Sequence, residues 1–300
     1  MQVSTKIFNK QSVETFSDMT SQIQKKQEQV ASGKALTKPS DDPVKSNRVM
    51  IVESQLSQAE QHIRNIDISS VKLGLTESAL GQVSNLLTRA YELSLQARSD
   101  STASGRPAVV VELEGLLDNI KDLANSSDAS GRAVFGGFKI GDAPFSTDAS
   151  GNTQYVGDRG VHEVKISRSM NLQTTLDGST VFERVPLESG QVGSVFSLLE
   201  GMITDLKSSD ASSLPINDLR SAISHIADQR AFVGAQMNKA DLQLSQLESR
   251  TVTLTRNIGE MQDADLGKIV TELQSLLLNK EIAQKTFSRI SQLSLFDYLS

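Results

Sequence analysis

The chain contains no cysteine and no tryptophan, and aromatic residues of all kinds make up only 4% of it. Without cysteine, neither a disulfide framework nor a thiolate metal site can form. Globular enzyme cores usually contain more aromatic bulk, whereas low aromatic content with many helix-forming residues is typical of long helical bundles. The composition therefore favours thin, packed helices in this chain of 300 residues.

Long apolar runs and basic clusters are also missing. No stretch approaches the roughly 18 apolar residues that a transmembrane helix needs. Residues 1–10 are not followed by the apolar segment of a cleavable secretory signal. The net charge is −6, and no local run of Lys and Arg offsets it. We therefore expect neither a membrane nor a nucleic acid among the partners.

The sequence also lacks the motifs that carry catalysis. His62, His162 and His225 lie in separate segments without metal-ligand spacing. The pair Gly136 and Gly137 has no third glycine and no following Lys-Ser or Lys-Thr, so a phosphate-binding loop is not indicated. No serine lies in a Gly-x-Ser-x-Gly elbow. We expect no catalytic residue, no metal site and no cofactor, and hence a protein that is not an enzyme.

The strongest positive pattern lies at the C-terminal end. From residue 266 onward, apolar residues fall on alternating three- and four-residue steps, broken only by Lys280, which is the a/d seam of a helix that packs along another helix. The seam consists of Leu266, Ile269, Leu273, Leu276, Ala283, Phe287 and Ile290. Further apolar residues flank it, namely Val270, Leu277, Leu278, Ile282 and Leu293. One partner helix cannot cover so wide a surface, so the pattern indicates a segment that needs other chains. A terminal helix docked on its own domain is the alternative.

The N-terminal end carries a thinner seam of the same kind. Phe16, Ile23 and Val30 recur every seven residues, and the helix is predicted to end near Gly33, which can adopt the left-handed conformation. The two ends are natural partners for one another. We expect both seams to be largely exposed in a single chain, and the chain to be mobile before about Gly33 and after about Gly259.

A linker follows at residues 34–43, where two prolines prevent a helix. Asp42 is suited to cap the next helix and Pro43 to be its first residue. The linker is assigned to Pro39, Ser40, Asp41, Asp42 and Pro43. Its acidic residues form either a metal-ligand cluster or helix caps, and capping explains them more simply.

The middle of the chain contains long helical patterns on either side of a β-type region. Heptad-like seams predict a long helix at 44–98, a turn at 99–107 and a shorter helix at 107–124. Glycine clusters and short β-type runs at 133–135 and 164–166 interrupt the helical period between residues 126 and 190. Helical periodicity then returns near Val195, breaks at 208–213, and continues from Pro215 to about Arg256. A hinge is predicted at 259–265 before the last helix.

The predicted order is mirrored about the β-type region. We therefore predict a mainly α fold with a β insertion, in which both chain ends build an elongated antiparallel helical bundle or coiled-coil rod. The predicted divisions are terminal assembly segments at 1–33 with 262–300, a helical rod domain at 34–130 with 191–261, and a small antiparallel β-rich outer domain at 131–190.

Three motifs in this arrangement resemble the flagellin superfamily. Leu-Thr-Lys-Pro-Ser-Asp-Asp-Pro at 36–43 looks like the linker that follows the first terminal helix of that family. Gly-Arg-Ala-Val-Phe-Gly-Gly at 131–137 looks like the turn at the start of its β region. The ending Arg-Ile-Ser-Gln-Leu-Ser-Leu-Phe-Asp-Tyr-Leu at 289–299, together with residues 1–11, is most similar to the branch of the family that joins hook and filament.

The resemblance implies a structural, secreted component of the bacterial flagellum that leaves the cell through the flagellar export apparatus. It implies a homo-oligomeric ring at the hook–filament junction, with another hook-associated protein on the hook side and flagellin on the filament side. An export chaperone is expected to bind the C-terminal helix. The self-association residues are then Phe16, Ile23, Val30, Leu266, Ile269, Leu273, Leu276, Phe287 and Ile290. A filament flagellin and a secreted coiled-coil effector with a catalytic β insertion are the alternatives.

Overall fold

The computed structural model describes residues 2–99, 105–139, 141–149, 151–208 and 214–299. Within these ranges the protein is mainly helical, with short antiparallel strands in the middle of the sequence, which confirms the predicted fold class. The helices are α1 (Gln2–Ser32), α2 (Pro43–Ser99), α3 (Arg106–Ala124), α4 (Val195–Lys207), α5 (Ile216–Gln262) and α6 (Leu266–Leu299). None of the helices described is at once long and apolar enough to cross a lipid bilayer.

The chain divides into two compact units. The terminal unit consists of Met1–Gln58 with Arg250–Ser300, and the middle unit consists of Ala59–Ser249. The division into terminal segments, rod domain and outer domain stays a proposal. The predicted turn at 99–107 and the predicted break at 208–213 lie largely outside the described residues.

The helix boundaries of the terminal unit follow from local chemistry. Gly33 has φ of +69°, and its N–H donates to the carbonyl of Gln29 at 2.9 Å, so α1 ends at the predicted glycine. Asp42 Oδ1 accepts the backbone N–H of Lys45 at 2.9 Å, and Pro43 is the first residue of α2. Both predicted signals are confirmed.

The predicted hinge before the last helix is shorter than expected. Helix α5 continues through Gly259 to Gln262, so only Asp263, Ala264 and Asp265 separate it from α6. A single glycine lowers helix stability by only about 1 kcal/mol and does not by itself end a helix. Asp265 Oδ1 then accepts the backbone N–H of Lys268 at 3.1 Å and caps α6.

The core of the middle unit lies among helices α2, α3, α4 and α5. Helix α3 packs beside α4, and Arg89 of α2 pairs with Glu112 of α3 at 2.7 Å. Four phenylalanines contact one another where the helices meet the β region, with ring centroids between 5.0 and 5.6 Å apart. They are Phe135, Phe145, Phe182 and Phe196. These four phenylalanines thus join the helices of the middle unit to the β region.

In the described residues of the β region there are three two-stranded antiparallel hairpins. They pair β1 (Phe145–Thr147) with β2 (Thr153–Tyr155), β3 (Glu163–Lys165) with β4 (Asn171–Gln173), and β5 (Val185–Pro186) with β6 (Val192–Gly193). The predicted β-type run at 164–166 is largely confirmed, because Val164 pairs with Leu172. A π-helical turn at Ser179–Glu183 was not expected from the sequence.

The predicted β-type run at 133–135 is not a strand. Ala133 makes only an isolated bridge with Ser127. Phe135 is fully buried in the aromatic cluster, and Gly137, with φ of +69°, turns the chain immediately afterwards. Because these residues form a turn and a core contact, they do not pair with a neighbouring strand.

Polar contacts fix the hairpins to the helices of the middle unit. The carbonyl of Lys165 accepts from the His62 ring at 3.2 Å and from Asn65 at 2.8 Å, both on α2. The ring of His225 on α5 contacts the carbonyl of Thr180 at 3.0 Å. Two of the three histidines therefore anchor backbone carbonyls, a structural role that their sequence positions did not suggest.

Candidate functional site

The site indicated by the sequence is the pair of helices formed by the two chain ends. Helix α1 packs against α6. The Lys26 ammonium pairs with Glu272 at 2.6 Å, and the Lys280 ammonium donates to Thr20 Oγ1 at 3.0 Å. Because the residue number rises on α6 as it falls on α1, these contacts define an antiparallel pair. The predicted partnership of the ends is confirmed.

This register brings the two predicted seams face to face. Counting along the helices from these two contacts, Ile23 falls near the level of Leu276 and Val30 near the level of Ile269. Ile23 is 6% exposed and Ile269 is 7% exposed, so both are core residues of the pair. Nearer the chain termini, Phe287 contacts two aromatic residues of α1, with ring centroids 5.8 Å from Phe16 and 5.9 Å from Phe8.

The seam is therefore covered more fully within one chain than the sequence suggested. Leu273, Leu276, Phe287, Phe16 and Val30 are half-buried. The expectation that the seam would be largely exposed in a single chain is wrong for Ile23 and Ile269, because α1 and α6 cover one another. It holds only at the margins, where Leu266 is 47% and Ile290 is 43% exposed.

A second apolar surface on α6 lies outside the α1 contact. It consists of Val270, Leu277, Leu278 and Ile282, which are 38%, 47%, 57% and 53% exposed, and we call it the outer stripe. These residues are the flanking positions that made the sequence pattern too wide for one partner. The flanking Leu293 lies among residues whose side chains the structure does not describe. The excess apolar width predicted for α6 is thus present as exposed surface.

The linker between α1 and α2 is held back onto α1. Asp41 Oδ1 accepts from the Lys25 ammonium at 2.7 Å, and Asp41 Oδ2 accepts from Thr37 Oγ1 at 3.2 Å and from the Lys38 backbone at 3.1 Å. Pro39 and Ser40 remain exposed. In the described parts of the chain, no three acidic or histidine side chains are grouped as metal ligands. Helix capping and ion pairing account for the acidic residues.

The linker also pairs with the hinge before α6, which sequence reasoning missed. Lys34 forms an antiparallel bridge with Asp263. The Ala35 N–H donates to the Gln262 carbonyl at 2.7 Å, and the Ala264 N–H donates to the Gly33 carbonyl at 3.0 Å. The two breaks in the helices are thereby joined by backbone hydrogen bonds, which fixes the position of α6 relative to α1.

Asp41 gives this arrangement a testable pH dependence. The Lys25 ammonium, with the Lys38 backbone and the Thr37 hydroxyl, lowers the pKa of Asp41 to about 2. A depressed folded-state pKa stabilises the fold above the unfolded value of about 4, and this contribution is lost as the pH falls towards 2. We expect the Asp41 carboxyl to titrate near pH 2 by NMR, and nearer its ordinary value in Lys25→Met. A midpoint near 4 in the unaltered protein would show that the linker contact does not form in solution.

Known proteins with similar sequences are components of the bacterial flagellum. The family model for the bacterial flagellin N-terminal helical region matches residues 3–139, and the model for the C-terminal helical region matches residues 216–299. The flagellar hook-associated protein 3 of Escherichia coli is 25% identical over 99% of both chains. A flagellin of Listeria innocua is 22% identical, covering 97% of this chain and 95% of its own.

The fold has a counterpart among solved structures. The crystal structure of the flagellar junction protein from Legionella pneumophila superposes with a TM-score of 0.60 at 18% identity, covering 73% of this chain and 100% of that one. The two matched helical regions are those that contribute α1 and α6, the paired helices described above. The chain belongs to the flagellin family of bacterial flagellar proteins, which build a structure and are not enzymes.

Proposed function

We propose that this protein is the structural adaptor that joins the flagellar hook to the flagellin filament. The observation that carries the proposal is the outer stripe of α6, an apolar surface that remains exposed after α1 and α6 have covered one another. Soluble monomers rarely keep a contiguous apolar surface unless a partner covers it. In this proposal copies of the chain form a ring, and neighbouring subunits bury the outer stripe.

The proposed partners follow from this position. Another hook-associated protein lies on the hook side of the ring and flagellin lies on the filament side. The protein reaches the site through the flagellar export apparatus. The match to hook-associated protein 3, over 99% of both chains and at higher identity than the match to the Listeria flagellin, favours the junction over the filament.

A deletion strain tests the proposed position. Cells without this chain should carry hooks without filaments, and flagellin should accumulate in the medium, because the hook would lack the surface on which flagellin assembles. Electron micrographs and an assay of shed flagellin report both effects, with plasmid-borne protein as the control. Filaments of normal length in the deletion strain would exclude the junction role.

Filament flagellin is the second candidate, because the Listeria flagellin covers almost the whole chain. Purified protein distinguishes the two. A filament flagellin elongates into long filaments by itself, whereas an adaptor should stop at short oligomers. Long filaments formed by the purified chain alone would favour the flagellin assignment.

We further propose that an export chaperone binds α6 before secretion. In the cytoplasm the outer stripe would otherwise promote aggregation. Replacing Leu277 and Leu278 by serine should weaken co-purification of the chaperone at least tenfold, because both side chains are about half exposed and would form part of the bound surface. The matched control is Leu242→Ser on α5, where the side chain is 75% exposed. Undiminished co-purification with the double variant would place the chaperone site elsewhere.

A further inference from the structure

A cleft of about 120 Å³ lies within the middle unit, between α2 and the turns of the β region. Its walls include Lys72 of α2, Arg132 and His162 from the loops, and the hydroxyl-bearing Thr175. The volume is enough for a small polar group with a few water molecules. Nothing in the proposed junction role uses this cleft.

Among the described residues that line the cleft, the carboxylate is Asp128, and it already has its hydrogen-bond partners. Asp128 Oδ1 accepts the backbone N–H groups of Ser130 at 2.8 Å and of Arg132 at 3.0 Å. Asp128 Oδ2 accepts from Arg132 Nε at 3.0 Å. These bonds lower the pKa of Asp128, so the group stays ionised and cannot donate a proton to a ligand. The Asp128–Arg132 pair is a fixed part of the wall.

Donors in the same cleft remain unused. The Lys72 ammonium is half-buried and makes neither a hydrogen bond nor an ion pair with the described residues. Burial lowers the pKa of Lys72 and the neighbouring Arg132 lowers it further, whereas Asp128 acts in the opposite direction, so the charge of Lys72 is only partly offset. Arg132 uses Nε for Asp128 and keeps its two terminal nitrogens. Thr175 Oγ1 accepts a hydrogen bond from the backbone N–H of His162 at 3.0 Å, which leaves the Thr175 hydroxyl hydrogen available for a ligand.

We propose that this cleft binds a carboxylate group. A carboxylate has the planar shape that the paired terminal nitrogens of an arginine recognise with two hydrogen bonds. With Asp128 neutralising one cation, Lys72 and Arg132 leave one net positive charge, which matches a single carboxylate. A free carboxylic acid and an Asp or Glu side chain of a second copy of this chain present the same group. A second copy can supply such a group from the 36 Asp and Glu residues of the chain.

The experiment has one arm for each source. In the first arm, sodium acetate is titrated into the full-length protein at constant ionic strength, and the backbone amide signals of Arg132 and His162 are followed by NMR. In the second, self-association is measured by sedimentation velocity at low salt, with and without acetate. Lys72→Gln is the test variant in both. Lys139→Gln is the matched control, because its ammonium already contacts Asp142 at 3.6 Å and the Val156 carbonyl at 3.1 Å.

Saturable acetate binding that weakens at least tenfold in Lys72→Gln, and not in Lys139→Gln, supports a free acid as the ligand. Self-association that acetate reverses and Lys72→Gln abolishes supports a carboxylate from a second copy. The proposal is overturned if neither arm depends on Lys72, or if chloride produces the same shifts as acetate. Circular dichroism checks that Lys72→Gln remains folded, which is expected because folding already disfavours the charged form of Lys72.

Discussion

Replacing Leu277 and Ile282 by serine should leave a folded, soluble protein but a cell whose hooks carry no filaments. The two side chains are 47% and 53% exposed in the single chain, so the free energy of unfolding should change by about 0.5 kcal/mol or less per site. Covering a Leu or Ile side chain completely is worth about 1.5–3 kcal/mol, and roughly half of that remains to be gained at each of these sites. Every subunit of a ring would lose this contribution, so the losses add around the assembly.

The matched control for the outer stripe is a double variant with the same chemistry elsewhere. Leu242→Ser and Val111→Ser replace apolar side chains that are 75% and 68% exposed on α5 and α3. Thermal melts, swimming assays and electron micrographs compare the two double variants. Filaments should persist in the control. Normal swimming by the Leu277 and Ile282 double variant would show that the outer stripe is not an assembly surface.

Replacing Ile23 and Ile269 by serine, unlike replacing Leu277 and Ile282, should destabilise the fold of the terminal unit itself. Both side chains are less than 10% exposed between α1 and α6. Truncating a well-packed Leu or Ile typically costs about 2–5 kcal/mol, and a serine hydroxyl left without a partner adds to that cost. The helix pair should separate, and filament attachment should fail for that reason. Replacing the half-buried Leu273 and Leu276 should give an intermediate loss.

Hydrogen exchange, compared with a control variant, separates this loss from damage to the whole chain. Hydrogen exchange should accelerate along α1 and α6, while the amides of the middle unit keep their protection. Val13→Ser with Leu266→Ser is the control, because these side chains on the same two helices are 63% and 47% exposed. Unchanged protection of α6 in the Ile23 and Ile269 double variant would show that the seam does not hold the terminal helices together.

The long helices could be predicted because their signals are local and repeated. The seams of α1 and α6, the glycine at residue 33 and the Asp42-Pro43 cap each depend on a few neighbouring residues, and the structure contains all of them. The mainly α fold and the pairing of the chain ends followed from these signals, and the β insertion followed from the glycine clusters and short β-type runs that interrupt the helical period. The apolar residues that flank the seam of α6 are likewise evident from the sequence alone.

The remaining features depend on contacts between distant residues. Phe135 belongs to the aromatic cluster rather than to a strand because Phe145 and Phe182 reach it from other parts of the chain. The bridge between Lys34 and Asp263 joins two breaks that are more than half the chain apart. The division of α6 into a seam covered by α1 and an exposed outer stripe likewise required the position of α1. The seam positions predicted that the chain ends are partners, but not that Ile269 is buried within one chain.

The absence of native cysteine allows the central claim to be tested directly at one atom. The central claim is that neighbouring subunits in the flagellum cover the outer stripe of α6. Leu278→Cys places a single thiol on that stripe, at a position that is 57% exposed in the single chain, and Val192→Cys places one on the β region at a position that is 67% exposed. The measurement is the rate of maleimide labelling, first in purified monomer and then in isolated flagella. We expect both thiols to react rapidly in the monomer, and only the thiol at position 278 to become protected, at least tenfold, in flagella. Equal labelling of position 278 in monomer and flagella would contradict the account.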